Sequence, residues 1–261
     1  MKIVISSGHG LFVRGTKGII DEVDEARRVT DRVAEILRSA GVSVNAFHEN
    51  SARTTAANVN AIVQHHNRQM RDLDVSIHFN STATGTIEDR AIGVEVLHHT
   101  NNQNTRSIAG KVARAISDAS GLLLRHQQSS GAVGRNNLGF LNNTTAPAIL
   151  IEVCFVVSRT DVRLYQQFFE EICAAIASTI SGRNISIPDI PAPPVLPPPE
   201  PPTPPVVPVI PPIFSDLPSE WAREAWTWGV MQNLTDGSNP QGIPTREQMI
   251  TLLHRYHRSR N

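Results

Sequence analysis

Two histidines and one glutamate stand at positions where metal ligands are expected. His9 follows the first apolar segment and lies between two glycines in S-G-H-G, and His78 ends another apolar segment in D-V-S-I-H-F-N-S. Glu22 opens a helical segment after the glycine-containing loop R-G-T-K-G. Two imidazoles and one carboxylate that leave a fourth position open form a ligand set of catalytic zinc sites. Each residue also fits an ordinary role, as a loop histidine, a half-buried strand histidine or an acid that favours a helix start.

A fourth residue with potential chemistry, Glu152, lies inside the apolar run A-I-L-I-E-V-C-F-V-V. A carboxylate in such a run is costly unless it is paired, bound or functional. Burial raises the pKa of a carboxyl group, which suits a general acid or base near neutral pH. The alternative is a strand-end carboxylate that reaches solvent or pairs with an arginine such as Arg159.

Alternating strand and helix patterns indicate which elements position these residues. Short apolar runs alternate with segments whose apolar residues recur at helical spacing. This alternation predicts an α/β fold with a twisted, mainly parallel sheet flanked by helices, followed by a small all-α C-terminal module. In open sheets of this kind, sites form at the carboxyl ends of strands, where His9 and His78 are predicted to lie. The strands are predicted at 3–7, 42–47, 73–79, 93–98 and 148–157, and the helices at 22–40, 54–70, 105–120 and 161–180.

Composition and charge exclude several classes of protein. The 261 residues contain 24 basic and 24 acidic side chains, which argues against nucleic-acid binding through bulk positive charge. Two cysteines exclude a disulfide scaffold and a four-cysteine zinc ribbon. The first residues lack the apolar stretch of a signal peptide, and no window resembles a membrane span. We therefore expect synthesis in the cytoplasm without a signal peptide.

A proline-rich segment predicts the domain boundaries. Of the 18 prolines, 14 fall between Pro188 and Pro212, where neither helix nor central strand can form. We expect this segment to adopt extended polyproline II structure and to span about 75 Å at most. We predict a catalytic domain over 1–183, a linker over 184–212 and a small module over 213–261.

Several motifs of the first domain occur in a characteristic order. They are I-S-S-G-H-G, a glutamate nineteen residues before Gly41, S-I-H-F-N-S, G-V-E-V and P-A-I-L-I-E-V-C-F-V-V-S-R-T-D. Together they resemble the zinc-dependent N-acetylmuramoyl-L-alanine amidases of the amidase-3 type, from Lys2 to about Ile180. The α/β fold of that family agrees with the fold predicted above. One departure is that Phe47-His48 replaces the Thr-Arg pair common after the second strand of the family.

The resemblance implies a complete catalytic site. One zinc ion per catalytic domain would be held by His9, Glu22 and His78. Glu152 would be the catalytic carboxylate, which takes a proton from water and delivers it to the leaving amine. The implied reaction is hydrolysis of the amide bond between N-acetylmuramic acid and L-alanine in peptidoglycan.

Two further residues are candidates for this site. Asn80, which shares the S-I-H-F-N-S motif with His78, is the candidate substrate-binding residue. Glu25 lies in the same acidic cluster as Glu22 and is an alternative to it as the third ligand.

The 213–261 module contains all three tryptophans of the chain, Trp221, Trp226 and Trp228. Its order of W-A-x-x-A, a D-G turn and T-R-E-x-x-x-x-L-L resembles a single S-layer-homology-like repeat. That resemblance implies binding to a secondary cell-wall polymer of a Gram-positive host. The tryptophans also suit a small hydrophobic core, so no wall-binding residues are assigned.

The combined prediction is a modular peptidoglycan hydrolase that acts on the cell wall. The arrangement suggests a bacteriophage endolysin that reaches the wall after a separate holin opens the membrane. The alternative is a bacterial autolysin or sporulation amidase of the same chemistry. A zinc peptidase of the peptide stem and a non-catalytic wall-binding protein are less favoured.

Overall fold

The computed structural model describes residues 1–125, 130–185 and 226–228. The predicted linker beyond residue 185 and the predicted 213–261 module lie outside the described residues, except that 226–228 are helical. The fold described below belongs to the first of two units of the chain, Met1–Ile190. No helix in the described part of the chain combines the length and apolar character that a membrane crossing requires.

Strands and helices alternate along this unit, as the apolar patterns predict. The described residues form β1 (Lys2–Ser7), α1 (Glu22–Ser39), β2 (Ser43–Phe47), α2 (Thr55–Asn67), β3 (Leu73–Asn80), β4 (Glu95–His99), α3 (Gln103–Ser120), β5 (Ala132–Arg135), α4 (Gly139–Asn143), β6 (Ala148–Phe155), α5 (Arg159–Gln167) and α6 (Phe169–Ser181).

The strands form one sheet in the order β2-β1-β3-β6-β4-β5. Neighbouring strands are parallel except β4 and β6, which are antiparallel, so the predicted mainly parallel α/β sheet is confirmed. Because β4 runs opposite to β6, its first residue, Glu95, pairs with Glu152 toward the carboxyl end of β6. This reversal brings a β4 side chain to the edge of the sheet where His78 lies.

Helices cover both faces of the sheet and enclose its core. The helix α1 is capped by Asp21, whose side chain accepts a hydrogen bond from the Val23 amide, and the helix buries Val29, Val33 and Leu37. Full burial of one side chain of this size contributes about 1.5–3 kcal/mol. The helices α1, α3 and α6 contribute to one hydrophobic cluster, and α2 and α4 contribute to the other.

The structure differs from the predicted secondary structure in three places. The helix predicted over 161–180 is two helices, because the backbone of Phe168 (φ −115°, ψ 32°) interrupts the helical path between α5 and α6. The strand β5 has four residues without a fully buried side chain, and it lacks an apolar run that would mark it. The helix α4 has five residues and no side-chain cap, so its pattern is too short to recognise.

Candidate metal centre and catalytic carboxylate

Three strands deliver the candidate residues to one edge of the sheet. His9 comes two residues after β1 ends, and His78 lies near the end of β3. Glu152 of β6 is the register partner of His78 on the neighbouring parallel strand. Glu22 is the first residue of α1, which follows the loop after His9. The strand ends and the helix start therefore bring together residues that are far apart in sequence.

His9, Glu22 and His78 form one compact cluster of ligand atoms. Nδ1 of His78 lies 3.0 Å from Oε1 of Glu22, and Nε2 of His9 lies 3.5 Å from the same oxygen. The two imidazole rings meet edge to face, with centroids 5.0 Å apart. One ligand atom from each residue lies within 4.8 Å of the others. Two imidazoles and a carboxylate are the donor set of catalytic zinc sites, so this cluster fits Zn²⁺.

Backbone amides hold the Glu22 carboxylate in place. The Thr16 amide donates to Oε2 over 2.7 Å, and the Phe79 amide donates to Oε1 over 3.2 Å. Burial raises the pKa of Glu22, but hydrogen bonding to His78 and the neighbouring imidazoles outweigh it, so this pKa lies below its ordinary value. Burial and the proximity of His78 lower the pKa of His9, which favours the neutral imidazole that binds metals. Burial lowers the pKa of His78, but its hydrogen bond to Glu22 outweighs burial and raises this pKa above its ordinary value. The cluster therefore presents an anionic carboxylate oxygen and, at His9, a neutral ring nitrogen.

Two glycines leave the room that this cluster occupies. Gly15 has φ +69°, and a Cβ there would overlap Oε2 of Glu22 and lie 2.7 Å from Cδ2 of His9. A Cβ on Gly8 would overlap the His78 ring. Side chains at either position would displace a candidate ligand, so these glycines form a cradle around the cluster.

Glu152 is half-buried beside the cluster and is suited to proton transfer. Its Oε2 is enclosed and has no hydrogen-bond partner among the described residues. Burial raises the pKa of Glu152 to about 7, and the carboxylates of Glu22 and Glu95 act in the same direction, against the opposing effect of His78. Arg159, the alternative partner considered from sequence, pairs instead with Asp89 at 3.1 Å. A carboxyl group with this pKa can both accept and donate a proton near neutral pH.

Comparison with known families decides the relationship of the chain. A family profile described as N-acetylmuramoyl-L-alanine amidase (Amidase_3) matches residues 3–181. The chain belongs to this amidase family. Two uncharacterized proteins of Clostridium perfringens are each 28% identical to it, over 167 and 171 residues. The matches cover 64% of this chain and 47% and 46% of those proteins, so the chain spans about half the length of these curated relatives.

Solved structures share the amidase-family fold. The catalytic domain of the CD27L endolysin, which targets Clostridia difficile, superposes with a TM-score of 0.61 at 21% identity, over 71% of this chain and 99% of that one. An N-acetylmuramoyl-L-alanine amidase of Clostridium difficile 630 gives 0.59 at 19% identity, over 69% and 95%. The CwlD amidase of Clostridioides difficile, solved in complex with the GerS lipoprotein, gives 0.58 at 18% identity, over 69% and 96%.

The other two candidate residues, Glu25 and Asn80, are bound to neighbouring side chains of the protein. The Glu25 carboxylate accepts a hydrogen bond from the Tyr165 hydroxyl at 2.6 Å and pairs with Arg28 at 2.6 Å, so Glu22 is the acid that lies in the cluster. Nδ2 of Asn80 donates to Oε1 of Glu95 over 2.8 Å, and its Oδ1 accepts from the Ser81 amide. The Asn80 amide is thus bound within the protein, and its contact with substrate remains a prediction.

A second histidine–carboxylate pair, between His66 of α2 and Asp74 of β3, is enclosed. Nδ1 of His66 lies 2.8 Å from Oδ1 of Asp74, and its Nε2 lies 3.0 Å from Oγ of Ser6. The side chains of His66 and Asp74 have no exposed surface. The order of groups matches a nucleophilic triad, but no substrate can reach them. We therefore interpret these residues as a satisfied buried polar network.

Two residues beside the candidate site, Glu95 and Arg125, are not predicted from the sequence. Glu95 is the glutamate of the G-V-E-V motif, and Arg125 pairs with it at 2.6 Å. The motif is visible in the sequence, but the position of Glu95 beside Glu152 depends on the antiparallel direction of β4. Apolar alternation does not reveal strand direction, so no sequence signal indicates this pair.

Because Gly15 leaves room for the cluster, a methyl group added at this position is expected to displace a candidate ligand. Gly15→Ala is expected to lower zinc occupancy and to reduce amidase activity about 10- to 100-fold, because a shift of about 1 Å in catalytic groups costs that much. Gly85→Ala is the matched control, since Gly85 has φ +64° and a Cβ there meets nothing within 4 Å. Its backbone strain costs about 1–2 kcal/mol of stability without touching the site. Metal analysis and muropeptide hydrolysis compare the two, and equal zinc contents would contradict the cradle.

Proposed function

We propose that the chain is a zinc-dependent peptidoglycan amidase that cleaves the amide bond between the lactyl group of N-acetylmuramic acid and L-alanine. The observation that carries the proposal is the cluster of His9, Glu22 and His78 beside the half-buried Glu152 in a chain of this family. A non-catalytic wall-binding protein needs neither a metal-ligand set nor an enclosed carboxylate oxygen that, like Oε2 of Glu152, has no hydrogen-bond partner among the described residues.

The residues of the site divide the chemistry between them. Zinc held by His9, Glu22 and His78 would supply Lewis acidity at the scissile amide. Glu152 accepts the proton of the attacking water and donates it to the departing nitrogen of L-alanine. One C–N bond breaks and one C–O bond forms, which leaves a carboxylate on the lactyl group and a free amine on the peptide. The pKa of Glu152, raised to about 7, keeps both of its forms available.

Isotope-labelled water tests this bond assignment. Digestion of a soluble muropeptide in H₂¹⁸O is expected to place one ¹⁸O atom in the lactyl carboxylate of the sugar product. The peptide product is expected to begin with unlabelled L-alanine. A label in a peptide carboxylate would instead identify a peptidase of the stem.

We also propose that the 213–261 module anchors the enzyme to a secondary cell-wall polymer of a Gram-positive host. The support is the S-layer-homology-like motif order in the sequence. Deletion of residues 188–261 is expected to preserve hydrolysis of soluble muropeptides and to reduce the fraction of protein that sediments with purified walls. Sedimentation equal to that of the full chain would refute the anchor.

The physiological setting that we favour is a phage endolysin, which reaches the wall through a holin-dependent membrane opening. Its support is the predicted order of catalytic domain, proline-rich linker and wall-binding module. The alternative is an autolysin or sporulation amidase of the same chemistry. A self-sufficient endolysin is expected to solubilise walls as the purified chain alone, whereas a requirement for an added bacterial partner protein would favour the alternative.

A further inference from the structure

His78, Glu152 and Glu95 form a row across three neighbouring strands, at the end of the sheet where the candidate site lies. His78 of β3 is the register partner of Glu152, and Glu152 is the register partner of Glu95 on the antiparallel strand β4. Side chains of directly paired residues project from the same face of a sheet, and their Cβ atoms lie about 4.5–5.5 Å apart in antiparallel pairs. Glu95 therefore stands next to the catalytic carboxylate on the side away from the metal cluster.

Arg125 is bound to Glu95 at the end of this row. Its Nη1 pairs with Oε1 of Glu95 at 2.6 Å, and the Glu95 residue is 2% exposed. Its guanidinium lies 4.7 Å from the centroid of the Phe155 ring, and its backbone amide donates to the Val94 carbonyl over 2.9 Å. Asn80 donates to the same oxygen of Glu95 and so fixes that carboxylate from a second direction. These contacts orient the guanidinium before any ligand binds.

About a third of the Arg125 side chain (32%) remains exposed, although the side chain is bound to the buried Glu95 of this row. A guanidinium presents five donors in a fixed fork that matches the two oxygens of a carboxylate. One guanidinium nitrogen of Arg125 is bound to Glu95. The exposed part of the guanidinium can therefore bind a second acidic group. Glu152 and Glu95 lie between the proposed zinc site and this guanidinium, so the guanidinium is a cation that an anionic group of the substrate would meet on the far side of Glu152.

We propose that Arg125 binds a free carboxylate of the peptide stem and thereby makes the enzyme prefer stems that carry it. The group we assign is the α-carboxylate of the γ-linked D-glutamyl residue that follows L-alanine. The inference rests on the proposed amidase function, because it places the stem on the leaving-group side of Glu152.

Two soluble muropeptides that differ only in this carboxylate or carboxamide test the proposal. The zinc-loaded full chain is expected to cleave the carboxylate form with kcat/KM about tenfold or more above the amide form, since charge-assisted bidentate bonds are roughly twice as strong as neutral ones. In Arg125→Gln the ratio is expected to fall to about one, chiefly through a higher KM for the carboxylate form. Arg125→Lys should keep part of the preference, because it keeps the charge and loses the fork.

Two further variants separate binding from a structural role of Arg125. Arg125→Gln leaves the buried Glu95 without its partner arginine, so the double variant Glu95→Gln/Arg125→Gln removes both charges together. It is expected to remain unselective even where it restores thermal stability. Arg159→Gln, which removes an exposed arginine paired with Asp89, is the matched control and should keep the wild-type ratio.

The outcomes distinguish this inference from the function on which it rests. An unselective wild type, or an Arg125→Gln variant that keeps the preference, would overturn the role of Arg125 while the amidase function stands. A double variant that regains the preference would show that Arg125 only neutralises Glu95, and would overturn it also. Failure of the wild type to cleave either muropeptide would overturn the amidase function and this inference together.

Discussion

Replacement of Glu152 by glutamine is expected to lower kcat about 10²- to 10⁴-fold while zinc content and fold stay unchanged, because general acid–base catalysis contributes that much. Glutamine keeps the shape of the side chain but can neither accept nor deliver the proton. The site is compatible with the neutral group, since burial already raises the pKa of Glu152 to about 7. Initial rates on a soluble muropeptide, metal analysis and circular dichroism measure the three quantities.

A surface glutamate provides the control for that experiment. Glu171 is exposed at the start of α6, so Glu171→Gln makes the same chemical change away from the site. It is expected to retain wild-type kcat. Activity of Glu152→Gln within a few-fold of wild type would remove Glu152 from the mechanism and leave the buried carboxylate unexplained.

Removal of the His78 imidazole is expected to abolish zinc binding and hydrolysis together. His78→Ala leaves two ligands and takes away the group that contacts the Glu22 carboxylate at 3.0 Å. Catalytic zinc sites hold the ion with three protein ligands, so the expected zinc content falls from about one per chain toward zero. Plasma mass spectrometry after dialysis and muropeptide hydrolysis provide the two readouts.

His99→Ala is the control for the loss of a histidine. His99 lies at the far end of β4, beyond the residues that pair with β6, and its ring accepts a hydrogen bond from the Asn101 amide. This variant should keep both zinc and activity. Stoichiometric zinc in His78→Ala would show that residues other than His78 hold the ion and would contradict the proposed ligand set.

The strand ends could be predicted from sequence because the apolar runs mark them directly. His9 and His78 follow or end such runs, and the carboxyl ends of parallel strands meet at one edge of the sheet. Glu22 could be placed at a helix start by its acidic surroundings, and Glu25 of the same cluster is the alternative to it. The loop path through Thr16, whose amide holds the Glu22 carboxylate, decides which acid faces the histidines.

The remaining parts of the site depend on tertiary pairing that no local pattern encodes. The G-V-E-V segment alternates in the same way whether β4 runs parallel or antiparallel to β6. Only the antiparallel direction places Glu95 beside Glu152 and brings Arg125 to the catalytic edge. The left-handed backbone of Gly15 is likewise visible only once the loop is folded over His9.

End-group analysis of digested peptidoglycan tests the central claim most directly. Purified Gram-positive walls would be incubated with the full chain, with and without a chelator, and after zinc is restored. The proposed function predicts new L-alanine amino termini without new reducing sugars, lost with the chelator and recovered with zinc. New amino termini on another residue, or release that persists in chelator, would contradict a zinc-dependent N-acetylmuramoyl-L-alanine amidase.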